Sequence, residues 1–351
     1  MVYGHRSALV PPTVPGLGRV PGSRWRNAAL ACWRGGPVTR PLIIDCDPGH
    51  DDALALLLAV ASDRVRLLAV TTCFGNCSVD DATYNALRIL SLYGATEIPV
   101  AKGASGPLRG ELALGNYVHG ASGLDGPELP EPAMSVGSES APDLLAQVLS
   151  DSDEKVTIAV TGPMTNIAQL FQEHPSSIQK VAEVIFMGGS TGRGNHTPTA
   201  EFNVYADPEA LDVVLHSGVP VKMVGLNLTH QALATPDVVR SMSAMEHTIG
   251  HICADWMGFF GDSYNRIWEF EAPPVHDPCT IAALIDPDVI EWRESFLAVE
   301  LEGTWTRGTT IVDLHDRYAD QPKNAAIAIT LDRDRYWGLV LQAIDDLGRR
   351  S

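Results

Sequence analysis

The sequence lacks two features that membrane and nucleic-acid-binding proteins need. No stretch of the 351 residues approaches the roughly 20 consecutive apolar residues of a membrane-spanning helix. Basic residues are outnumbered, 25 against 43 acidic ones, giving a formal net charge of −18. This charge argues against a nucleic-acid backbone or an anionic membrane as partner, because both reward a basic surface. A small neutral substrate is not excluded.

Cysteines are few, and none forms a C-x-x-C pair. Several lie within apolar runs, so we interpret them as reduced, buried side chains of a cytoplasmic protein. The six are Cys32, Cys46, Cys73, Cys77, Cys253 and Cys279.

Residues 1–40 contain no aspartate or glutamate, and proline and glycine interrupt them repeatedly. They offer no periodic apolar face, so we expect a disordered extension, or a start codon assigned too far upstream. A transit peptide is disfavoured because no clear amphipathic helix is present, and a secretory signal because there is no apolar h-region. Residues 41–351 contain neither a linker nor an internal repeat, which predicts one domain.

The stretch PLIIDCDPGHDDALALLLA, residues 41–59, places four acidic residues in one turn. Its apolar run predicts a strand buried on both faces. Pro48 and Gly49 are expected to turn the chain, and an apolar helix is expected after them. Like charges this close raise one another's pKa unless a cation compensates, and oxygen ligands suit Ca²⁺ or Mg²⁺. A capped helix with surface acids is the alternative interpretation. The four acids are Asp45, Asp47, Asp51 and Asp52.

Strands and helices alternate from Pro41 onward, through residues 65–73, 156–160, 184–187 and 221–224 as strands. Two late strands are expected at 296–301 and 325–330. This β-α-β-α order predicts an α/β fold with an open, mostly parallel sheet and helices on both faces. The long glycine-rich segment 103–132 is expected to be a functional loop.

Polar residues follow several of these strands, at the edge of a parallel sheet where ligands bind. Singly, each has a plain explanation as a turn residue, a helix cap or a solvated acid. Together they predict one site, formed by Asp47, Asp51, Asp52, Asn76, Thr161, Asn195, Glu201, Asn203 and the pair His276–Asp277.

The motifs DCDPGHDDALALLLA, GN at 75–76, TGPMTNIA at 161–168, MGGS, AEFNVYADPEA and HDP together resemble the inosine–uridine-preferring nucleoside hydrolase family. The resemblance runs from about Pro41 to the C-terminus. It implies an open α/β sheet and Ca²⁺-dependent hydrolysis of the N-glycosidic bond of ribonucleosides, which releases the free base and ribose. The expected partner is thus a small ribonucleoside, handled by a homodimer or homotetramer.

The resemblance also implies roles for individual residues. Ca²⁺ is expected to be held by Asp47, Asp52, Asp277 and the main-chain carbonyl of Thr161, and Asp45 to support the loop. Asn76 is expected to orient the water. Contacts to the substrate are expected from Asp51, His119, Met187, Asn195, Glu201, Phe202, Asn203, Tyr264 and Asp277.

Two further roles follow from the chemistry of the bond. The sugar becomes oxocarbenium-like, so carboxylates around it stabilise the developing charge. A Ca²⁺-bound water is acidified only weakly, so a carboxylate must take its proton, and Asp47 is our predicted general base. His276 is the candidate acid for the departing base. The resemblance implies that His119 and Tyr264 line the base pocket, as the matching positions do in relatives, and that Phe260 leaves that part of it apolar. An ordinary loop histidine is the alternative interpretation of His119.

Two other function classes compete with this interpretation. A Ca²⁺-dependent nucleoside-binding protein without turnover needs neither base nor acid, yet Asp47, Asn76 and His276 are all present. A phosphatase of the aspartate-nucleophile type also carries D-x-D after a buried strand. It needs a downstream lysine and a phosphate-binding Ser/Thr loop, where this chain has His276–Asp277 and AEFN. Base preference stays open.

Overall fold

A computed structural model describes residues 39–318 and 320–350. Its strands are β1 Arg40–Cys46, β2 Val65–Thr72, β3 Val100–Lys102, β4 Val156–Val160, β5 Val181–Met187, β6 Val221–Val224, β7 Ile290–Ser295, β8 Leu297–Val299, β9 Thr310–Val312 and β10 Ala325–Leu331. Its α-helices are α1 His50–Ala61, α2 Val79–Leu92, α3 Asn116–His119, α4 Ala141–Asp151, α5 Thr165–Glu173, α6 Phe202–Ala206, α7 Pro208–Leu215, α8 Leu226–Thr229, α9 Pro236–Ser243, α10 Thr248–Trp268, α11 Pro278–Ile285 and α12 Arg333–Gly348. Two short 3₁₀ helices span Pro175–Lys180 and Pro287–Val289.

Eight strands form one sheet in the order β3-β2-β1-β4-β5-β6-β10-β7. All neighbours are parallel except β10 and β7, which pair antiparallel. The predicted open, mostly parallel sheet in a single domain is therefore confirmed. Because β1 lies between β2 and β4 in this order, the loop after it lies between the loops that follow those strands.

Both faces of the sheet are covered by helices, as its alternating side chains require. Leu42 and Ile44 point into one hydrophobic cluster, with α1 and α10 to α12, whereas Ile43 points into the other, with α4, α5 and α7. Helix α1 is buried along nearly its whole length. Each of its fully buried leucines contributes about 1.5–3 kcal/mol relative to an exposed one, which anchors the acidic turn that precedes it.

The late strands differ from the expectation. Strand β7, which closes one edge of the main sheet, is not predicted by its sequence, IEWRES, because four of its six side chains are polar and most face solvent. The predicted strand at 296–301 is shorter and pairs with β9 in a separate two-stranded sheet. Burial on one side only explains why the edge strand carries a weak signal.

The N-terminal boundary, the long loop and the helix lengths were also predicted from the sequence. The predicted extension lies outside the described residues up to position 38, and Arg40 already belongs to β1. The loop 103–132 contains the single helical turn α3. Within residues 39–318 and 320–350, no helix has the length and apolarity to cross a membrane.

Candidate active site

The turn after β1 carries the acidic residues into the interior. Asp45, Asp47 and Asp52 are fully buried, and Asp51 is 4% exposed. Gly49 precedes α1, and its N–H donates to the Asp52 carboxylate at 2.9 Å. The free-energy penalty of burying four charged carboxylates is far larger than the stabilisation that one helix N-terminus provides. Other groups must therefore compensate for these charges.

Three carboxylates converge although one of them is distant in sequence. Oxygens of Asp51, Asp52 and Asp277 all lie within 4.8 Å of one another. Burial, then the charge of Asp52, raises the pKa of Asp51 to about 7. The pKa of Asp277 is raised well above its usual value by burial and then by its acidic neighbours. This arrangement favours a bound cation, which would let all three ionise together.

Asp47 has one carboxylate oxygen without a partner. Its Oδ2 accepts the N–H of Asn76 at 2.7 Å, whereas its buried Oδ1 has no hydrogen-bond partner within the described part of the chain. The backbone approaches closely here, since a Cβ on Gly162 would lie 2.7 Å from Oδ1 and one on Gly75 would overlap Oδ2. Such an orphaned oxygen beside three carboxylates is what a site for a hard, oxygen-preferring metal ion requires.

Thr161 and Asn76 connect this carboxylate cluster. The Thr161 hydroxyl donates to Asp52 Oδ1 at 2.6 Å, and its main-chain oxygen accepts from Asn203 Nδ2 at 2.8 Å. Asn76 Nδ2 donates to Asp52 Oδ2 at 3.1 Å. Asp45 lies behind them and accepts from Thr71 Oγ1 at 2.5 Å and Asn166 Nδ2 at 2.7 Å. Asp45 is thereby connected to β2 and α5, and its role as a residue that supports the loop stays a prediction.

The segment after β5 contributes a second polar wall. Glu201 caps α6 and accepts the N–H groups of Gly189 and Asn203, each at 2.9 Å. Burial raises the pKa of Glu201 to about 7. Asn195 Oδ1 accepts the N–H of Phe202 at 2.9 Å, which ties the loop 190–200 to this helix start. These side chains are held rigidly, as groups that position a substrate must be.

His276 has partners at both ring nitrogens. Its Nδ1 lies 2.7 Å from Thr229 Oγ1, and its Nε2 lies 2.6 Å from the Tyr264 hydroxyl. Its backbone N–H donates to Asp51 Oδ2 at 3.2 Å. Burial, and then the neighbouring His230, lowers the pKa of His276 well below its usual value. The ring is thus neutral, and both of its nitrogens are engaged.

A cleft opens beside these groups. From β5 and the segment after it, the cleft is lined by Met187, Asn195, Glu201, Phe202 and Asn203. From the other elements it is lined by Asp51, Asn76, His119, Thr161, Tyr264, His276 and Asp277. Asp47 and Asp52 are fully buried beside it. The structure therefore brings together the whole predicted set, although their roles stay predictions.

The comparisons with known proteins agree with this geometry. The sequence model described as "Inosine-uridine preferring nucleoside hydrolase" matches residues 42–338. The chain belongs to this family. The pyrimidine-specific ribonucleoside hydrolase RihA of Shewanella woodyi is 43% identical over 314 residues, 89% of this chain and 100% of that protein. RihA of Salmonella paratyphi A is also 43% identical, over 87% of this chain and 98% of its own.

Solved structures lead to the same family. A plant nucleoside hydrolase, PpNRh1, superposes with a TM-score of 0.81 at 31% identity, covering 87% of this chain and 99% of its own. A purine-preferring ribonucleoside hydrolase from Gardnerella vaginalis gives a TM-score of 0.83 at 30% identity, covering 89% and 100%. The protein is accordingly a ribonucleoside hydrolase, and the alternative of a binding protein without turnover is not supported.

Sequence reasoning missed Tyr117, Val118 and Trp268, which also line the cleft, and two residues that lie behind it. Thr229 contacts His276 from α8, and His50 contacts His119 from the first turn of α1. Thr229 follows β6 in a polar tetrapeptide, which is a weak signal. His50 lies within the acidic motif itself, and the motif was interpreted through its aspartates alone. Phe260 lines the cleft as expected.

Proposed function

We propose that this hydrolase cleaves the N-glycosidic bond of pyrimidine ribonucleosides such as uridine, with Ca²⁺ as its metal ion. The observation that carries the proposal is the orphaned Asp47 oxygen beside three converging carboxylates, at the floor of a cleft that also contains the Tyr264–His276 pair. The preference for a pyrimidine base is supported by the names of the relatives that are 43% identical.

The donor set fits a hard divalent cation. Asp47, Asp52, Asp277 and the carbonyl of Thr161 would hold it, all through oxygen, and Ca²⁺ accepts six to eight such ligands. When bound, Ca²⁺ would supply the compensating charge, bind the ribose diol and make a water molecule more acidic. Asn203 donates one hydrogen bond to the Thr161 carbonyl, which leaves the second lone pair of that oxygen available.

Asp47 is the general base of the proposal. Its Oδ2 is held by the Asn76 N–H, so the carboxylate cannot rotate freely, and Oδ1 stays available to take a proton from the attacking water. Glu201, Asn195 and Asp51 would bind the ribose hydroxyls. Concentrating carboxylates around the sugar stabilises the positive charge that develops as the bond to the base breaks.

The leaving base would be protonated through Tyr264. The Tyr264 hydroxyl faces the same cleft as the sugar-binding residues and forms a short hydrogen bond with His276. In the productive tautomer His276 carries its proton on Nε2, and the Thr229 hydroxyl donates to Nδ1. Tyr264 could then give its proton to the departing base, and the hydrogen bond from His276 Nε2–H would stabilise the resulting phenolate until solvent reprotonates it.

The test is release of free base from a panel of uridine, cytidine, inosine and adenosine. Each reaction is followed before chelation, after exhaustive chelation, and after addition of Ca²⁺ or Mg²⁺. We expect hydrolysis of the pyrimidine ribonucleosides, loss of activity on chelation and recovery with Ca²⁺. Full activity after chelation would refute the metal role, and faster turnover of inosine than of uridine would refute the base preference.

We also propose an oligomeric state and a cellular compartment for the protein. A homodimer or homotetramer is expected, and light scattering on the purified protein measures it. The five cysteines in the described residues are all free and buried, in keeping with the predicted reducing, cytoplasmic compartment.

A further inference from the structure

A second histidine, His50, lies behind His119 and has no role in the proposed mechanism. His50 Nδ1 is 3.1 Å from His119 Nδ1, and His50 Nε2 is 2.8 Å from the main-chain oxygen of Asp125. The His50 ring stacks on Phe259 and Phe260, with ring centroids 5.1 and 5.5 Å away. His119 itself lines the cleft, and no hydrogen bond to its Nε2 is found in the described residues.

Hydrogen-bonding rules fix where the protons lie in this pair. A carbonyl oxygen only accepts, so His50 Nε2 must carry a proton. A neutral imidazole has a single N–H, so His50 Nδ1 carries a lone pair, and His119 Nδ1 must donate across the 3.1 Å contact. The His50 ring is fully buried and stacked on two phenylalanine rings, and these apolar surroundings favour the neutral form.

One competing arrangement exists. The backbone N–H of His50 lies 3.4 Å from the same His119 Nδ1, and it would require that nitrogen to accept. That contact is longer than the ring-to-ring contact and is at the limit of a useful hydrogen bond. The two arrangements place the His119 proton on opposite nitrogens, so the partner at Nδ1 decides what the ring presents to the cleft.

We propose that His50 is a positioning residue that holds His119 in the tautomer with its proton on Nδ1, so that Nε2 presents a lone pair to the cleft. The consequence for catalysis rests on the proposed function. As an acceptor, His119 binds an N–H or amino group of the base and cannot donate a proton to it. Protonation of the leaving base is thereby left to Tyr264 and His276.

Two substitutions of His50 separate this role from simple packing. His50→Phe keeps an aromatic ring against Phe259 and Phe260 but removes both nitrogens. Among the described residues, the backbone N–H of residue 50 is then the partner that remains for His119 Nδ1, and it moves the proton to Nε2. His50→Asn loses the stacking ring but places an amide oxygen where Nδ1 was, so it can still accept from His119. Phe259→Leu is the packing control, since it weakens the stack without touching either nitrogen.

The first measurement is the tautomer of His119 in the full-length protein without substrate. Long-range ¹H–¹⁵N correlation spectra of ¹⁵N-histidine-labelled protein distinguish the two neutral tautomers, and the spectrum of His119→Gln assigns the signal. We expect the proton on Nδ1 in the unsubstituted protein, in His50→Asn and in Phe259→Leu, and on Nε2 in His50→Phe. A proton on Nε2 in the unsubstituted protein would overturn the inference, whether or not the protein hydrolyses nucleosides.

The second measurement is kcat/KM for uridine. In His50→Phe the His119 Nε2–H would face an N–H or amino group of the base, so one hydrogen bond to the substrate is lost. We therefore expect His50→Phe to lower kcat/KM on the order of 10-fold. His50→Asn and Phe259→Leu should stay within about 3-fold of the unsubstituted protein. If packing alone matters, the order reverses, with His50→Phe near the unsubstituted rate and His50→Asn impaired. That reversed order would refute the positioning role.

Discussion

Removing His276 and Tyr264, singly and together, tests whether they act as one unit on the leaving base. The two side chains share a 2.6 Å hydrogen bond, and His276 has its other nitrogen on Thr229. If the proton reaches the base only through this chain, breaking either link stops the transfer. His276→Ala and Tyr264→Phe should therefore have similar effects, and the double variant should be no worse than either.

The magnitude follows from what acid catalysis contributes. Loss of a positioned acid costs on the order of 10²–10⁴-fold in kcat, or about 2.7–5.4 kcal/mol at 1.36 kcal/mol for each factor of ten. Two independent groups would multiply to on the order of 10⁴–10⁸-fold, whereas one unit gives the single-variant loss again. Thr229→Val, which removes only the hydroxyl that orients His276, should cost about 2–10-fold, the value of one hydrogen bond.

The assay compares uridine with p-nitrophenyl riboside, whose leaving group departs without protonation. All of these variants should lose activity on uridine and keep nearly all of it on the activated riboside. Since His276→Ala also leaves two buried hydroxyls unpaired, thermal melts must show that each variant is folded at the assay temperature. Equal losses on both substrates, or a double variant whose loss is the product of the single ones, would refute the role of the pair.

Three other predictions concern the metal, the sugar and the buried acids. Asp277→Ala should abolish both hydrolysis and Ca²⁺ binding, which calorimetry measures. The exposed control Asp255→Asn should keep both. Ca²⁺ affinity retained in Asp277→Ala would exclude Asp277 as a ligand. 2′-Deoxyuridine should be a very poor substrate, because a site built for a diol leaves buried polar groups unpaired when one hydroxyl is missing, and comparable kcat/KM for the two nucleosides would contradict the sugar site. Burial raises the pKa of Asp45 from 3.8 to about 7, so the folded state binds the extra proton between these values and stability falls as pH rises from 4 to 7. Metal-free Asp45→Asn should therefore lose less stability than the unsubstituted protein between pH 5 and pH 8 in denaturant titrations, and equal losses would show that Asp45 stays ionised.

Local sequence patterns predicted most of the fold. Buried runs such as those of β1 and β4 carry their own signals, because strand and helix periodicity act over a few residues. An apolar helix follows the turn after β1, and an amphipathic helix follows the turn after β4. Strand β7 escaped prediction because its role depends on a single neighbour, β10, from 30 or more residues further along the chain. Strand β9 and its pairing with β8 likewise escaped prediction, since β9 is only three residues long.

The sequence by itself determined the acidic turn at the end of β1, the polar residues after the other strands and the family resemblance, and these predicted the site as a set. Only the tertiary structure decided how its members meet. His276 reaches Asp51 across 225 residues of sequence, and Thr229 reaches His276 across 47. The unpartnered oxygen of Asp47 and the His50–His119 contact are equally invisible in the sequence. The physical reason is that a motif specifies the chemistry of a side chain, whereas its hydrogen-bond partner, its protonation and its tautomer depend on which helices the packed sheet brings beside it.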